Sequence, residues 1–184
     1  MRVIAGTARG AKLASLPGDD ITRPTVDRAK EGMFSALQFF LEGARVLDLY
    51  AGSGQLGIEA LSRGAARCVF LDENREACAL VRQNLKAAGL AAGASVAQGE
   101  AAAYLARCRE QFDLVLLDPP YHHGTVAAVL PAVDAVLAPG GIVMAETERG
   151  APLPDVCGGL TLKKRYQYGT VALAKYEKQP ADDA

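Results

Sequence analysis

The sequence contains no tryptophan, only two histidines and only four cysteines in its 184 residues. The histidines, His122 and His123, have no cysteine near them, which argues against a zinc site. No two cysteines form a C-x-x-C pair, so we interpret them as reduced thiols, mostly buried. No run of about 18 apolar residues occurs, and the N-terminus has no apolar signal-peptide core. These absences predict a cytoplasmic protein with no transmembrane helix and no metal.

Charge is distributed unevenly, although the net charge is only −1. Residues 1–30 carry six basic and three acidic side chains, residues 31–148 carry eight and fourteen, and residues 149–178 carry six and two. Basic ends around an acidic middle can attract a polyanion. On charge alone, however, ordinary solvated surface is the simpler explanation.

Short apolar runs alternate with helix-like stretches after residue 43. This alternation predicts a doubly wound α/β fold with a mostly parallel sheet, to which a C-terminal hairpin adds antiparallel strands. We divide the chain into an N-terminal extension (1–43), a main domain (44–178) and a disordered tail (179–184). The extension is predicted to hold a small β-hairpin and a helix over Asp27–Leu41. The predicted strands of the main domain are residues 45–50, 68–72, 94–98, 112–118, 142–146, 160–166 and 170–176, and its helices are residues 57–63, 75–88, 101–109 and 125–137.

A glycine-rich loop, G-x-G-x-x-G, follows the first predicted strand and precedes a helix. It spans Gly52 to Gly57, and an acidic residue, Asp72, ends the next strand. This combination fits a nicotinamide dinucleotide site, but the pattern alone is weakly specific. A plain tight turn with surface carboxylates is the structural alternative.

A carboxylate at the end of the first strand, Asp48, favours a cationic ligand over a dinucleotide. The pyrophosphate of a dinucleotide would lie against this loop, where a carboxylate repels it. S-adenosylmethionine carries an ammonium and a sulfonium and no phosphate, so Asp48 can favour it directly or through water. Asp72 can accept hydrogen bonds from both ribose hydroxyls. Glu100 or its backbone neighbours can face the adenine amino group, although an exposed helix-capping role fits Glu100 equally well, and the adjacent Glu73 can be merely solvated.

The tetrapeptide Asp118-Pro119-Pro120-Tyr121 follows the strongest predicted strand. An exocyclic amine on a nucleobase is a poor nucleophile, because its lone pair is delocalised into the ring. The Asp118 carboxylate and the Pro119 carbonyl could accept the two amino hydrogens, while Tyr121 stacks on the base. Positioning and electrostatics would then carry most of the rate. A rigid strand-to-loop turn is the alternative, and His122 and His123 more simply belong to the surface than to a base pocket.

Several motifs together resemble the bacterial small-subunit ribosomal RNA guanine-N2 methyltransferases of the RsmD type. A-G-S-G followed by D-P-P-Y is typical of amino-group methyltransferases with the class I, Rossmann-like fold. The resemblance covers nearly the whole chain. It includes Met1-Arg2-Val3-Ile4-Ala5-Gly6, Ala8-Arg9-Gly10, Thr22-Arg23-Pro24-Thr25, Asp27-Arg28, Lys30-Glu31, Phe34, the run from Leu56 to Ala65, and Asn84-Leu85.

The resemblance implies methyl transfer from S-adenosylmethionine to the N2 of a guanine in small-subunit rRNA, within an assembling 30S particle. We expect a monomer, although the sequence has no motif that fixes the oligomeric state. Two departures weaken single assignments: Tyr50 stands where phenylalanine is expected, and Glu100 where aspartate is usual. The implied residues are Asp48, Ala51, Gly52, Ser53, Gly54, Asp72, Glu73 and Glu100 for the cofactor, Asp118, Pro119, Pro120 and Tyr121 for catalysis, and Arg9, Arg23 and Arg28 for RNA.

Three other functions stay open at this point. A DNA adenine-N6 methyltransferase would use the same D-P-P-Y loop, although the short chain has no large target-recognition insertion. An RNA-binding assembly factor with a vestigial site would use the basic ends, although the intact Asp48, Asp72 and Asp118 speak against it. A nicotinamide oxidoreductase is the most distant alternative.

Overall fold

A computed structural model describes residues 1–18, 24–120 and 124–182, and only the backbone of residues 24 and 25. Its centre is an eight-stranded sheet in the order β3-β2-β1-β4-β5-β8-β7-β6. Strands β1 to β5 are parallel, and β6, β7 and β8 extend the sheet in antiparallel pairing. The predicted fold class is therefore confirmed. The elements are α1 (Pro24–Leu37), β1 (Arg45–Asp48), α2 (Gln55–Ser62), β2 (Arg67–Asp72), α3 (Arg75–Ala88), β3 (Ala94–Gln98), α4 (Ala101–Arg107), β4 (Phe112–Leu117), α5 (Thr125–Val136), β5 (Leu137–Glu148), β6 (Val156–Cys157), β7 (Leu160–Tyr168) and β8 (Val171–Lys178).

The sheet separates two hydrophobic cores, and β4 contributes to both. Leu114 and Leu116 pack with α1, α2 and α3 on one face, whereas Val115 and Leu117 pack with α4 and α5 on the other. Successive side chains of a strand point to opposite faces, so a strand covered on both sides must be apolar throughout. This requirement explains why Leu114 to Leu117 of β4 are all apolar.

Local capping chemistry fixes the ends of α3, which carries a residue that contacts the glycine-rich loop. The Asn74 side chain accepts hydrogen bonds from the backbone N–H groups of Glu76 and Ala77, at 2.7 and 3.3 Å. Gly89 ends the helix in the left-handed region, at φ 70°. Both residue types are preferred at these positions. The predicted helix of residues 75–88 is confirmed at both ends.

Some element boundaries differ from prediction. Helix α1 runs over Pro24–Leu37 rather than Asp27–Leu41, because a turn closed by a Phe40 N–H to Leu37 C=O hydrogen bond of 2.8 Å ends it early. Strand β5 begins at Leu137, five residues before the predicted start, and a register irregularity opposite β4 lets it include the Gly140–Gly141 turn. Strand β6 has only two residues, too few for a periodic signal.

The predicted N-terminal hairpin is present as a short antiparallel ladder. Val3 donates to the Ala11 carbonyl at 3.0 Å, and Gly10 donates to the Val3 carbonyl at 2.9 Å. Arg2 and Lys12 form an isolated bridge outside the named strands. Val3 is 1% exposed, so the hairpin contributes to the core beside α1. The division of the chain at residue 43 and the disorder of the tail stay predictions.

A fully buried glutamate, Glu59 of α2, joins the hairpin to the main domain. Its carboxylate accepts the backbone N–H groups of Ile4 and Ala5, at 2.9 and 3.0 Å, and pairs with Lys30 at 3.3 Å and Arg63 at 2.9 Å. Burial acts to raise the pKa of Glu59, but these donors and cations outweigh it and hold the pKa below its usual value. The ionised carboxylate therefore fixes hairpin, α1 and α2 together.

Candidate active site

A cavity of about 800 Å³ opens at the carboxyl ends of β1, β2 and β4. This is the edge at which ligands of open α/β sheets bind. Its walls come from the loop after β1, the end of β2, residues 99–102, residues 118–120 and the start of α5. The cavity thus brings together the glycine-rich loop and the D-P-P loop, which lie more than sixty residues apart in sequence.

The glycine-rich loop needs glycine for two different reasons. Gly54 precedes α2 in the left-handed region, at φ 82°, where a side chain would strain the backbone. Gly57 lies under β2, and a Cβ there would approach the Phe70 ring to 2.3 Å and Cys68 Sγ to 2.8 Å. Ala51, Gly52 and Ser53 line the cavity, whereas Gly54 shapes the turn without lining it.

Asp48 lies behind the loop and is not among the residues that line the cavity. It is 1% exposed, and its Oδ2 accepts the backbone N–H of Gly57 at 3.0 Å. Its Oδ1 is buried with no hydrogen-bond partner among the described residues. Burial, with a smaller contribution from the negative charge of Asp72, raises the pKa of Asp48 to about 7 despite the Gly57 bond. Asp48 is therefore not positioned to contact a ligand in the cavity directly. Its predicted role in cofactor binding would act through the glycine-rich loop, which it holds by the Gly57 hydrogen bond.

Asp72 connects the end of β2 to the loop and lines the cavity. Its Oδ2 accepts the Gly52 N–H and its Oδ1 accepts the Asn74 N–H, both at 2.9 Å. Each carboxylate oxygen has a further lone pair and can accept another hydrogen bond. These two hydrogen bonds orient the carboxylate of Asp72, for which the sequence predicts a role in ribose binding.

Two exposed acidic residues, Glu73 and Glu100, also line the cavity, as does Tyr50. Burial raises the pKa of Tyr50, and the charges of Glu100 and Glu73 raise it further. Glu100 occupies the N-cap position of α4, but its side chain makes no capping hydrogen bond. Glu100 thus lines the cavity without capping α4 through its side chain, and its contact with an adenine amino group stays a prediction.

The D-P-P loop, residues 118–120, forms another part of the cavity wall. Asp118 is half-buried, Pro119 is buried and Pro120 is exposed, and all three line the cavity. The structure therefore brings Asp118 into one cavity with Asp72, across the carboxyl ends of the parallel strands. Tyr121, His122 and His123 lie outside the described residues.

Two of the three arginines assigned to RNA are described, and both are exposed. Arg9 lies on the N-terminal hairpin and Arg28 on α1. Neither forms a salt bridge with a described residue, so both cations are available to an external anion. Arg23 lies outside the described residues.

Sequence reasoning gave no role to Asn84, which links the hairpin segment to the glycine-rich loop. Its Oδ1 accepts the Ala14 N–H at 2.8 Å, and its Nδ2 donates to the carbonyls of Ala14 and Ser53, both at 2.9 Å. Asn84 is 1% exposed on the same apolar helix face as Val81 and Leu85. The sequence held one signal of this role, because Asn84 is a polar residue on the apolar face of a predicted helix. Leu16, two residues beyond Ala14, lines the cavity.

The described ranges hold no group of three or more histidine, cysteine or acidic side chains arranged to bind a metal ion. None of the described helices is both long and apolar enough to span a membrane. All four cysteines are free thiols, of which Cys68 and Cys78 are buried.

Residues 1–177 match the family described as conserved hypothetical protein 95. The chain belongs to this family. The Bacillus subtilis protein YlbH is 40% identical over 97% of this chain and 100% of its own length. Ribosomal RNA small subunit methyltransferase D of Escherichia coli strain K12 is 34% identical over 97% of this chain and 90% of its own length.

Solved structures agree with this family assignment. The Escherichia coli protein yhhF superimposes with a TM-score of 0.85 at 31% identity, covering 98% of each chain. The Thermus thermophilus protein TTHA0928 superimposes with a TM-score of 0.79 at 27% identity, covering 95% of this chain and 98% of its own. The resemblance inferred from the sequence motifs is confirmed at the level of the family and the fold.

Proposed function

We propose that this protein transfers a methyl group from S-adenosylmethionine to the exocyclic N2 of a guanine in small-subunit ribosomal RNA. One observation carries the proposal: the glycine-rich loop and the D-P-P loop line a single cavity. Two relatives in the same family bear the name ribosomal RNA small subunit methyltransferase D, which supports rRNA as the substrate. The fold supports a class I methyltransferase.

The electrostatic character of the cavity suits S-adenosylmethionine better than a dinucleotide. Four described carboxylates line it, from Asp72, Glu73, Glu100 and Asp118, and no described lysine or arginine does. Phosphate groups would be repelled by this lining, whereas an ammonium and a sulfonium would be attracted. The volume of about 800 Å³ lies within the range of cavities that bind cofactors.

In the proposed complex, Asp72 accepts hydrogen bonds from the ribose hydroxyls and Glu100 lies nearest the adenine. Ala51, Gly52 and Ser53 let the backbone approach the ligand closely, while Gly54 turns the loop and Asp48 holds it from behind through Gly57. Glu73 contributes negative charge at the opening. S-adenosylmethionine, when bound, supplies an electrophilic methyl group on a positively charged sulfur.

The D-P-P loop then orients the acceptor amine. The Asp118 carboxylate and the Pro119 carbonyl accept the two amino hydrogens and thereby direct the nitrogen lone pair towards the methyl group. Proline at two successive positions limits the backbone freedom of the loop and offers no competing N–H. Tyr121 stacks on the base in this proposal. A base inside a duplex would have to be extruded to reach this position.

The N-terminal extension provides the RNA-facing surface of the proposal. Arg9, Arg23 and Arg28 contact phosphates and orient the RNA, so binding should weaken steeply with salt because counterions are released. The proposed substrate is an assembling small-subunit particle in the cytoplasm, and the enzyme acts as a monomer. The domain division of residues 1–43 and 44–178 is proposed on the same basis.

The deciding experiment incubates the protein with radiolabelled S-adenosylmethionine and small-subunit particles, naked rRNA or duplex DNA from cells that lack it. We expect label in rRNA alone, mapped by mass spectrometry to the N2 of one guanine. Label in DNA would favour an adenine-N6 methyltransferase. Cofactor binding without label in any nucleic acid would overturn the rRNA assignment, and no cofactor binding would favour a vestigial site.

Asp118→Ala separates chemistry from cofactor binding. Because Asp118 is proposed to act on the acceptor amine, the variant should lose transfer while binding the cofactor with little change by calorimetry. Asp72→Ala is the matched variant, and it should lose cofactor affinity. An Asp118→Ala protein that folds but no longer binds the cofactor would contradict these roles.

A further inference from the structure

A second, smaller cavity is lined by the D-P-P loop and by no residue of the glycine-rich loop. Pro119, Pro120 and Thr125 line both cavities, so the two share part of their walls. The smaller cavity is partly open to solvent, and its volume of about 40 Å³ suits the edge of a nucleobase rather than a whole ring. Its other walls come from the start of α5, the end of β5 and residues 151–153.

One of the lining residues is Glu146, near the end of β5. Glu146 is 7% exposed, and the rest of the lining combines Glu148, Thr125 and Thr147 with mostly apolar residues, three of which are prolines. Strand register places it beside the D-P-P loop: Leu117 of β4 pairs with Ala145 of β5, and Asp118 and Glu146 each follow by one residue.

The register also gives the relative orientation of the two carboxylates. Neighbouring parallel strands lie about 4.8 Å apart, and residues at the same register level point to the same face of the sheet. Leu116 and Met144 belong to one core cluster, and Glu146 follows Met144 by two residues within β5, so this alternation puts Glu146 on that same face. Asp118 directly follows the end of β4 at the level of Glu146, so two acidic residues occupy adjacent strand ends at the predicted site of the acceptor amine.

We propose that Glu146 reads the N1–H of the target guanine and so determines base specificity, an inference that rests on the proposed function. The Watson–Crick edge of guanine carries a hydrogen-bond donor at N1 directly beside the 2-amino group. Adenine instead carries an acceptor at N1 beside its amino group. An ionised carboxylate only accepts hydrogen bonds. Asp118 for the amine and Glu146 for N1–H therefore match guanine and reject adenine.

Burial makes this discrimination effective. A charge-assisted hydrogen bond gains strength in a water-poor pocket, and a buried acceptor facing a ring lone pair loses its hydration without compensation. An analogue that presents an acceptor at N1 should therefore react at least about tenfold more slowly than guanine, from the usual cost of an unpaired buried charged group.

The test uses small-subunit rRNA substrates with a base analogue at the guanine mapped in the radiolabel experiment. Both 2-aminopurine and 2,6-diaminopurine retain the 2-amino group and present an acceptor at N1, and they differ from each other at position 6. Wild-type protein should methylate both at least about tenfold more slowly than guanine. Since both analogues also lack the 6-oxygen, 6-thioguanine is the control, because it keeps N1–H but has sulfur at position 6. A similar deficit for the two analogues, with a 6-thioguanine rate near that of guanine, assigns the effect to N1.

Glu146→Gln should change the preference and not merely the rate. The glutamine amide can donate to an acceptor at N1, so the ratio of analogue to guanine rates should rise by about tenfold or more. Glu177→Gln, on the neighbouring strand β8 opposite Ile142, makes the same chemical change at the far end of β5 and should keep the wild-type ratio.

Two results would overturn the inference while the proposed function stands. One is equal rates on guanine and both analogues with wild-type protein, and the other is a Glu146→Gln protein that slows all substrates by the same factor. If Glu146→Gln does not fold, the wild-type comparison of guanine with the two analogues and 6-thioguanine still decides. Failure of wild-type protein to methylate guanine N2 at all would instead overturn the proposed function, and this inference with it.

Discussion

Replacing Asp48 by asparagine tests how burial affects the ionisation of this carboxyl behind the glycine-rich loop. The measured property is the pH dependence of the free energy of unfolding. Asp48 is buried, and its pKa is raised from 3.8 to about 7. The folded protein therefore holds the proton more tightly than the unfolded chain, so the contribution of Asp48 is most favourable below about pH 4 and is lost as the pH rises towards 7. Asparagine cannot ionise and keeps an acceptor for the Gly57 N–H.

The size of the effect follows from the pKa difference. At about 1.36 kcal/mol per pKa unit, ionising Asp48 lowers the free energy of unfolding by about 4 kcal/mol in total, with about 2.5 kcal/mol of that between about pH 5 and about pH 8.5. Asp48→Asn should remove this part of the pH dependence. Urea titrations of both proteins at the two pH values measure it.

Asp113→Asn provides a control of opposite sign. The side-chain hydrogen bond from Arg45 lowers the pKa of Asp113, so its contribution is present at high pH and is lost as the pH falls through its lowered pKa. The pair is partly exposed, and such pairs contribute about 0–1 kcal/mol. Parallel pH dependences for wild type and Asp48→Asn would refute the reasoning, because they would mean that Asp48 is ionised below pH 5 in the folded state.

Three further changes probe packing, the hairpin anchor and RNA binding. Gly57→Ala places a methyl group 2.3 Å from the Phe70 ring and should lower the free energy of unfolding by about 1–3 kcal/mol in urea titration. Glu59→Gln removes the charge that compensates a buried lysine and should cost about 3–5 kcal/mol in the same assay. Reversing Arg9 and Arg28 to glutamate should weaken rRNA binding and make its salt dependence shallower, as filter binding over a salt series measures, with cofactor affinity unchanged.

The glycine change and the arginine reversals each have a matched control. Gly99→Ala adds the same methyl group where the nearest atom is 3.9 Å away, and it should leave stability nearly unchanged. Reversing Arg82 and Arg107, on α3 and α4, changes net charge equally and should not alter the salt dependence. If these reversals weaken RNA binding as much as those at Arg9 and Arg28, the N-terminal segment is not the RNA surface. A Glu59→Gln protein as stable as wild type would show that backbone contacts alone hold the hairpin.

The order of strands and loops could be predicted because each rests on a local pattern. The apolar run of β4 and the glycine that ends α3 are readable within a few residues. Since parallel strands present their carboxyl ends at one edge, the meeting of Asp72 and Asp118 in one cavity also follows from the fold class. Family membership followed from motifs along nearly the whole chain.

Long-range contacts could not be predicted in this way. The burial of Asp48 behind the loop depends on how closely α2 packs on β2, and a carboxylate at a strand end gives no sign of which side it occupies. Glu59 lies in the run from Leu56 to Ala65, which is one of the motifs that resemble the family. Its four partners, however, lie 4 to 55 residues away in the sequence. The link from Asn84 to Ala14 crosses 70 residues and appears only after packing.

The uneven distribution of charge determines which part of a nucleic acid could enter the cavity. The cavity is lined by four described carboxylates, whereas the exposed Arg9 and Arg28 lie on the N-terminal segment. A phosphate backbone is therefore attracted to the segment and repelled from the cavity. Only the uncharged part of a nucleotide, its base, can enter without this electrostatic cost, and doing so requires that the base leave its stack. The same carboxylates that favour a cationic cofactor thus favour an extruded base over a continuous duplex.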